Sequence, residues 1–177
     1  MNISTTEVLR YLGYGSTPAD MRLEEIITKL HGEFVQHVKP KSISGVWECT
    51  VTKNIITLEP LVIISASLAE HLHGCRQAIL MAATLGIEAD ALLRRYAALD
   101  MEKALIAEAV CSVMIEEYIT ATFPGERFSP GYGDFSIVHQ KDILRLLNCA
   151  ARIGLAMTDG YMLTPSKSVT AIVRNNS

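Results

Sequence analysis

The segment Glu126-Arg127-Phe128-Ser129-Pro130-Gly131-Tyr132-Gly133-Asp134 holds the residue types best suited to gripping a small molecule. Arg127 carries a planar fork matched to a carboxylate. Tyr132 can cover a flat ring or donate a hydrogen bond. Pro130 and Gly131 set an unusual backbone path, and glycine lets a ligand approach the main chain closely. This set suits an amphoteric molecule with a carboxylate and an aromatic base. The same residues also make a rigid surface turn with a solvated arginine. Glu108 is the second candidate. It lies one turn before Ser112, between Ala107 and Ala109. A carboxylate among small residues could meet an ammonium or a sulfonium. An exposed helical glutamate is the plain alternative.

Other combinations carry less. His71-Leu72-His73 has two imidazoles, but residues two apart on a helix point to different faces. No third ligand follows at metal-like spacing, so solvated or capping histidines are expected. Cys49, Cys75, Cys111 and Cys149 are widely spaced and form no Cys-x-x-Cys pair. They read as reduced thiols, mostly buried as small hydrophobes. P-loop, Gly-x-Gly-x-x-Gly and Gly-x-Ser-x-Gly motifs are absent. Nothing marks acid–base or covalent catalysis.

Composition narrows the class further. The chain has 177 residues, 49% of them apolar and 20% charged, with a net charge of −3. Its mean hydropathy is +0.24 and its pI about 5.9. These values predict one folded domain over residues 1–177 and argue against disorder. The acidic balance and the 6% aromatic content argue against a nucleic-acid partner. Residues 1–20 hold one basic residue, Arg10, and no apolar core of a signal peptide. The longest candidate apolar run, Gln77 to Ile87, is too short to span a membrane. A cytoplasmic protein is expected. Seven methionines and an apolar composition permit a homodimer without requiring one.

The elements that must position these residues follow from spacing. Thr17 as N-cap, Pro18 at N1 and Asp20 at N3 open a helix. Leu23, Ile26, Ile27, Leu30, Phe34 and Val38 recur along it at steps of three and four, and Pro40 ends it. Ser42 to Leu58 reads as β, with a turn at Lys53-Asn54, and Leu61 to Ser65 as a short strand. Ser67-Leu68-Ala69-Glu70 resembles a capping box opening a short helix closed by Gly74. Ala78 to Thr84 is a continuous apolar run of strand length, expected at a sheet centre. Ile87 to Leu99 is helical. Asp100 caps a long helix to about Thr122, with Leu105, Ala109 and Val113 on one face and Ile106, Val110 and Met114 beside them. Pro124-Gly125 stops it, and 126–134 is expected to lack regular structure. His139 to Ala151 is helical. Two late strands are expected near Ala156 to Leu163 and Ser168 to Val173. The order is α+β rather than strict βαβ alternation.

At this point a family becomes recognisable. Arg127-Phe128-Ser129-Pro130-Gly131-Tyr132 resembles the Arg-x-x-Pro-Gly-Tyr signature of the activation (reactivation) domain of cobalamin-dependent methionine synthase. Further segments keep the family's order: Gly74-Cys75, Ala83-Thr84-Leu85-Gly86, Ala107-Glu108-Ala109, Arg152-Ile153-Gly154-Leu155, Tyr161-Met162-Leu163 and Lys167-Ser168-Val169-Thr170. Residues 7–14 look like the start of short, free-standing members. The resemblance covers nearly the whole chain.

The resemblance implies a C-shaped α+β domain around a twisted antiparallel sheet flanked by helices. Such a domain binds S-adenosylmethionine and presents it to cobalamin carried by a partner protein. It supports reductive methylation, which rescues cobalamin oxidised to the cob(II) state, with an electron from a flavodoxin-type donor. By resemblance, Arg127 holds the methionyl carboxylate, and the Ser129 backbone contacts the adenosine. Gly131 and Tyr132 lie in the signature at the ligand cleft. Glu108 is the acidic contact from the preceding helix, and Tyr161 is an aromatic near the cleft. An N-terminal acid also binds the ligand in this family, with Glu7 as one candidate. Methyl transfer from a sulfonium needs no proton transfer, so the missing catalytic dyad fits; positioning is what the protein must supply. No Asp-x-His-x-x-Gly cobalamin-ligand motif is present. The chain is short beside the fused domain, which implies a corrinoid on a separate methionine synthase. Service to another corrinoid methyltransferase is the alternative, as is a non-catalytic binding or assembly module retaining the fold.

Overall fold

A computed structural model gives the fold and describes residues 3–14 and 20–175. Its centre is a four-stranded antiparallel sheet of β1 (Lys41–Glu48), β5 (Gln77–Thr84), β9 (Ser168–Arg174) and β6 (Arg127–Phe128), in that order. A second sheet joins β2 (Thr50–Thr52), β3 (Ile55–Leu58) and β4 (Leu61–Ile64). The pair β7 (Ala156–Met157) and β8 (Leu163–Thr164) forms a third. This is the expected α+β architecture with antiparallel sheets flanked by helices.

Side-chain alternation explains the layering. Along β5, Ile79, Met81 and Ala83 face one apolar cluster, while Ala78, Leu80 and Ala82 face another. Successive strand residues point to opposite faces, so a strand covered on both reads as one unbroken apolar run. The first cluster lies under α1 (Thr5–Tyr11), α2 (Met21–His37), α4 (Ile87–Leu99) and α5 (Met101–Thr122). The second lies under the β2–β3–β4 sheet, α3 (Ala66–His71), α6 (Gln140–Leu146) and α7 (Cys149–Ile153). α5 buries ten of its residues, including Ile106, Val110 and Met114. A helix apolar on most sides must be central, and α5 packs between the sheet and the outer helices. Among the described residues no helix is long and apolar enough to cross a membrane.

Most elements lie where periodicity puts them, and six details differ. Asp20 is itself the N-cap of α2, accepting from the Leu23 amide at 2.7 Å; Thr17 and Pro18 lie outside the described residues. α3 is capped by Ser65, not Ser67, with Ser65 Oγ accepting from Leu68 N at 3.0 Å. Leu105 is exposed in the first turns of α5, although Ala109 and Val113 on the same side further along are buried. The segment 126–134 contains β6, which gains two ladder positions on β9 before Pro130 ends pairing for want of an N–H. The helix expected from His139 to Ala151 breaks at Asn148, which takes a left-handed conformation at φ 52°. The strand expected from Ala156 to Leu163 is instead β7, a turn and β8, which fold back on each other. The cysteines are free. Cys49, Cys111 and Cys149 are buried and Cys75 partly so. Burial pushes the Cys111 thiol up to about 12 and the Cys149 thiol up to about 11, which leaves them inert packing groups.

Candidate functional site

The signature loop is held at both ends. Arg127 and Phe128 hang on β9 opposite Val173 and Ile172. Beyond them, Tyr132 N donates to Ser129 O at 3.2 Å and Phe135 N to Tyr132 O at 3.0 Å. Gly131 N donates to Phe135 O at 2.7 Å. Gly131 sits at φ 97°, a region that side chains rarely adopt. Gly133 has a second constraint: a Cβ there would fall 2.6 Å from Ser67 Oγ. Pro130 and Phe135 are buried, so the turn is packed down while Tyr132 stays 68% exposed above it.

Asp134 anchors the loop to the start of α3. Its carboxylate accepts from Ser65 Oγ at 2.6 Å, Ala66 N at 2.7 Å and Ser67 N at 3.0 Å. The Ser65 hydroxyl, then the Ala66 and Ser67 amides, hold the carboxyl well below the usual carboxylate range. A depressed folded-state pKa stabilises above the unfolded value of about 3.9 and is lost as pH falls through the folded value. Asp134→Asn is therefore expected to flatten the acid side of a plot of Tm against pH below about pH 4. Parallel wild-type and variant curves in thermal melts would refute that role.

Arg127 meets α5. Its Nη2 lies 3.3 Å from Glu116 Oε2 and 3.3 Å from Thr120 Oγ1. The guanidinium is mostly covered, with its side chain 21% exposed. Both contacts are longer than the roughly 2.8 Å of a tight charge-assisted bond. Around this pair lies a cleft of about 370 Å³ lined by Glu116, Ile119, Arg127, Phe128, Ser129, Tyr132 and Val169. A depression of about 290 Å³ adjoins it across Glu116 and includes Glu7, Arg10 and Tyr11 of α1. Glu7 there is paired with Arg10 at 2.8 Å.

Arg127, Ser129 and Tyr132 thus converge. Gly131 shapes the turn behind them, where a Cβ would come within 3.3 Å of Ile137 Cδ1. Glu108 does not line this cleft. It lies eight residues before Glu116 on α5, about 12 Å along the axis, and binds Lys167 Nζ at 2.6 Å. Lys167 also donates to Ser112 Oγ at 3.0 Å. Tyr161 lines a separate cleft beside α6 that shares no residue with the Arg127 cleft. His71 is half-buried against Phe128, with ring centroids 5.4 Å apart.

Motifs assign no role to four contributors, Glu116, Thr120, Lys167 and Asp134, although the last two lie inside recognised segments. For two of them a signal exists. Glu108, Ser112, Glu116 and Thr120 are polar at four-residue steps on an otherwise apolar helix. That spacing draws one polar stripe facing Arg127 and Lys167.

The donor set suits an amino-acid zwitterion joined to a flat ring. Arg127 offers N–H groups for a carboxylate, Glu116 an acceptor for an ammonium, and Ser129 and Tyr132 a polar and aromatic wall. Among the described residues no group of three or more His, Cys, Asp or Glu side chains could hold a metal.

Comparisons with known proteins show what the chain is similar to. Residues 107–177 match the family "Vitamin B12 dependent methionine synthase, activation domain". No curated protein sequence matches the chain. A solved structure, "Crystal Structure of the MetH Reactivation Domain bound to AdoHcy", superposes with a TM-score of 0.72 at 14% identity. The match covers 97% of this chain and 75% of that one, and at such identity it shows a common fold. Residues 107–177 are thus similar in sequence to the vitamin B12 dependent methionine synthase activation domain, and the chain as a whole is similar in fold to the MetH reactivation domain.

Proposed function

We propose that the chain binds S-adenosylmethionine in the Arg127 cleft and supports reductive methylation of cobalamin on a separate methionine synthase, with a flavodoxin-type donor supplying the electron. The observation that carries this reading is the convergence of Arg127, Ser129 and Tyr132 on one cleft, inside the stretch that matches the family. The related solved domain has AdoHcy bound, which is the same molecule without its transferable methyl. When bound, S-adenosylmethionine supplies that methyl on a sulfonium. Arg127 takes the α-carboxylate through its fork. Glu116 turns from Arg127 toward the α-ammonium. The Ser129 backbone and the Tyr132 ring hold the adenosine, and Gly131 keeps the turn compact beneath it. Glu108 is paired with Lys167 away from this cleft, so the ligand contact expected of it by resemblance has no counterpart here. Tyr161 lies outside this cleft, so the ligand contact expected of it by resemblance has no counterpart among these roles.

Isothermal titration of the wild-type chain with S-adenosylmethionine is expected to give one saturable site. A flat titration would end the ligand assignment. Adding the chain with a reductant and S-adenosylmethionine to an oxidised methionine synthase tests the partner. Recovery of turnover is expected, and no recovery despite ligand binding would end the assignment to that enzyme.

A further inference from the structure

The cleft beside α6 has its own chemistry. It measures about 560 Å³, within the usual range for small-molecule sites. One wall is a single face of α6 and its end, with Lys141, Leu144, Arg145 and Asn148 at steps of three and four. The other is the chain from Leu155 through Asp159, with Tyr161. Leu144 and Met157 supply apolar surface, and Tyr161 an aromatic ring.

Two features set this cleft apart from a casual groove. First, its backbone is strained on both sides. Lys53, Asn148 and Tyr161 are the described non-glycine residues with positive φ, and Lys53 simply makes the β2–β3 turn. The other two, at 52° and 61°, both line this cleft. A tyrosine there persists only where its surroundings enforce it. They do: Gln140, itself 6% exposed, donates from Nε2 to Tyr161 O at 2.9 Å. Its Oε1 in turn faces Thr170 Oγ1 at 3.3 Å on β9. Tyr161 N adds a bond to Thr158 O at 3.0 Å. The ring is thereby posted at the rim by the buried core.

Second, the charge is unbalanced. Lys141 has no ion pair among the described residues, and Arg145 has only a long one, 3.6 Å to Asp142, with its side chain 72% exposed. Asp142 is shared with His139 at 3.2 Å. Against these two cations the cleft wall presents one carboxylate, Asp159.

The geometry points to a second small-molecule site, between α6 and the β7–β8 hairpin, for a planar aromatic ring bearing a phosphate or carboxylate. The ring lies against Tyr161 over Leu144 and Met157. The anion meets Lys141 and Arg145. This site does not depend on what occupies the Arg127 cleft.

The test is a fluorescence titration of the whole chain with 1-naphthyl phosphate, alongside 1-naphthol and inorganic phosphate. Saturable binding of 1-naphthyl phosphate is expected, at least about tenfold tighter than either fragment. Lys141→Ala with Arg145→Ala should weaken it at least about tenfold. Both side chains reach solvent, so the fold is retained, which circular dichroism checks. Tyr161→Leu should weaken it as well, while Arg127→Ala should leave it unchanged. Absence of saturation, an equal affinity for inorganic phosphate, or insensitivity to the Lys141/Arg145 pair would each overturn the proposal. So would loss of binding in Arg127→Ala, which would put the probe in the other cleft.

Discussion

Arg127→Ala is expected to weaken S-adenosylmethionine binding by about 2–3 kcal/mol, or roughly 30- to 150-fold, with little change in stability. The size follows from what the guanidinium does. A hydrogen bond to a charged group is worth more than a neutral one, and Arg127 is mostly covered from solvent. The small stability change follows from its present partner. Glu116 is 46% exposed and 3.3 Å away, so the pair contributes no more than about 1 kcal/mol. Arg127→Lys separates charge from shape. It keeps the positive charge but loses the planar fork, so an intermediate affinity is expected. Titration calorimetry with thermal melts of the three proteins gives the answer. An affinity within threefold of wild type in Arg127→Ala would show that the carboxylate is held elsewhere.

Phe135→Ala is expected to lower the free energy of unfolding by about 3–5 kcal/mol and to reduce ligand affinity too. Phe135 is 1% exposed in the second core and packs toward Phe128, with centroids 6.3 Å apart. It stacks on His139 on the other side, at 5.7 Å. Its backbone also closes the signature turn through Gly131 and Tyr132. Removing the ring empties the space on which the turn rests. Small domains carry a margin of about 5–15 kcal/mol, so this change removes a large share of it. Leu72→Ala is the control. Leu72 is fully buried in the same core, with backbone hydrogen bonds to Leu68 and Cys75 rather than to the turn, and its loss should cost about 2–5 kcal/mol while leaving affinity intact. Urea denaturation gives both stabilities, and titration at a temperature where both variants are folded gives the affinities. Equal affinity in Phe135→Ala and wild type would mean that the turn is not held from beneath.

The two clefts also differ in how far each could be read in advance. In the Arg127 cleft, Arg127, Ser129, Gly131 and Tyr132 sit within six residues, so one segment displays them together. Their counterparts Glu116 and Thr120 are 11 and 7 residues away, on a helix whose polar stripe is visible only when its period is counted. The cleft beside α6 has no such segment. It exists because an expected continuous helix breaks at Asn148 and an expected continuous strand folds back at Tyr161. Asn148, a residue type that tolerates the left-handed conformation, bonds to Arg145 and Arg152 nearby. Tyr161, by contrast, is held by partners distant in sequence, which local propensity cannot foresee. For Tyr161 these are Gln140, 21 residues away, and Thr170 behind it.

The apolar segment Ala78 to Thr84 shows where the division falls. By itself the sequence determined that such a run must be buried on both faces and that α4 and α5 must follow, because periodicity and capping act within a few residues. It likewise determined that a Pro-Gly turn follows α5 and carries an arginine and a tyrosine. Only the tertiary structure decided which surfaces those residues share. Pairing β9 with β5 and β6 brings Lys167 beside Glu108, 59 residues away, and Arg127 opposite Val173. Asp134 meets the start of α3, 68 residues away, by the same means. Such contacts depend on the register of a sheet built from distant strands. Register is selected by the packing of whole faces rather than by any local spacing.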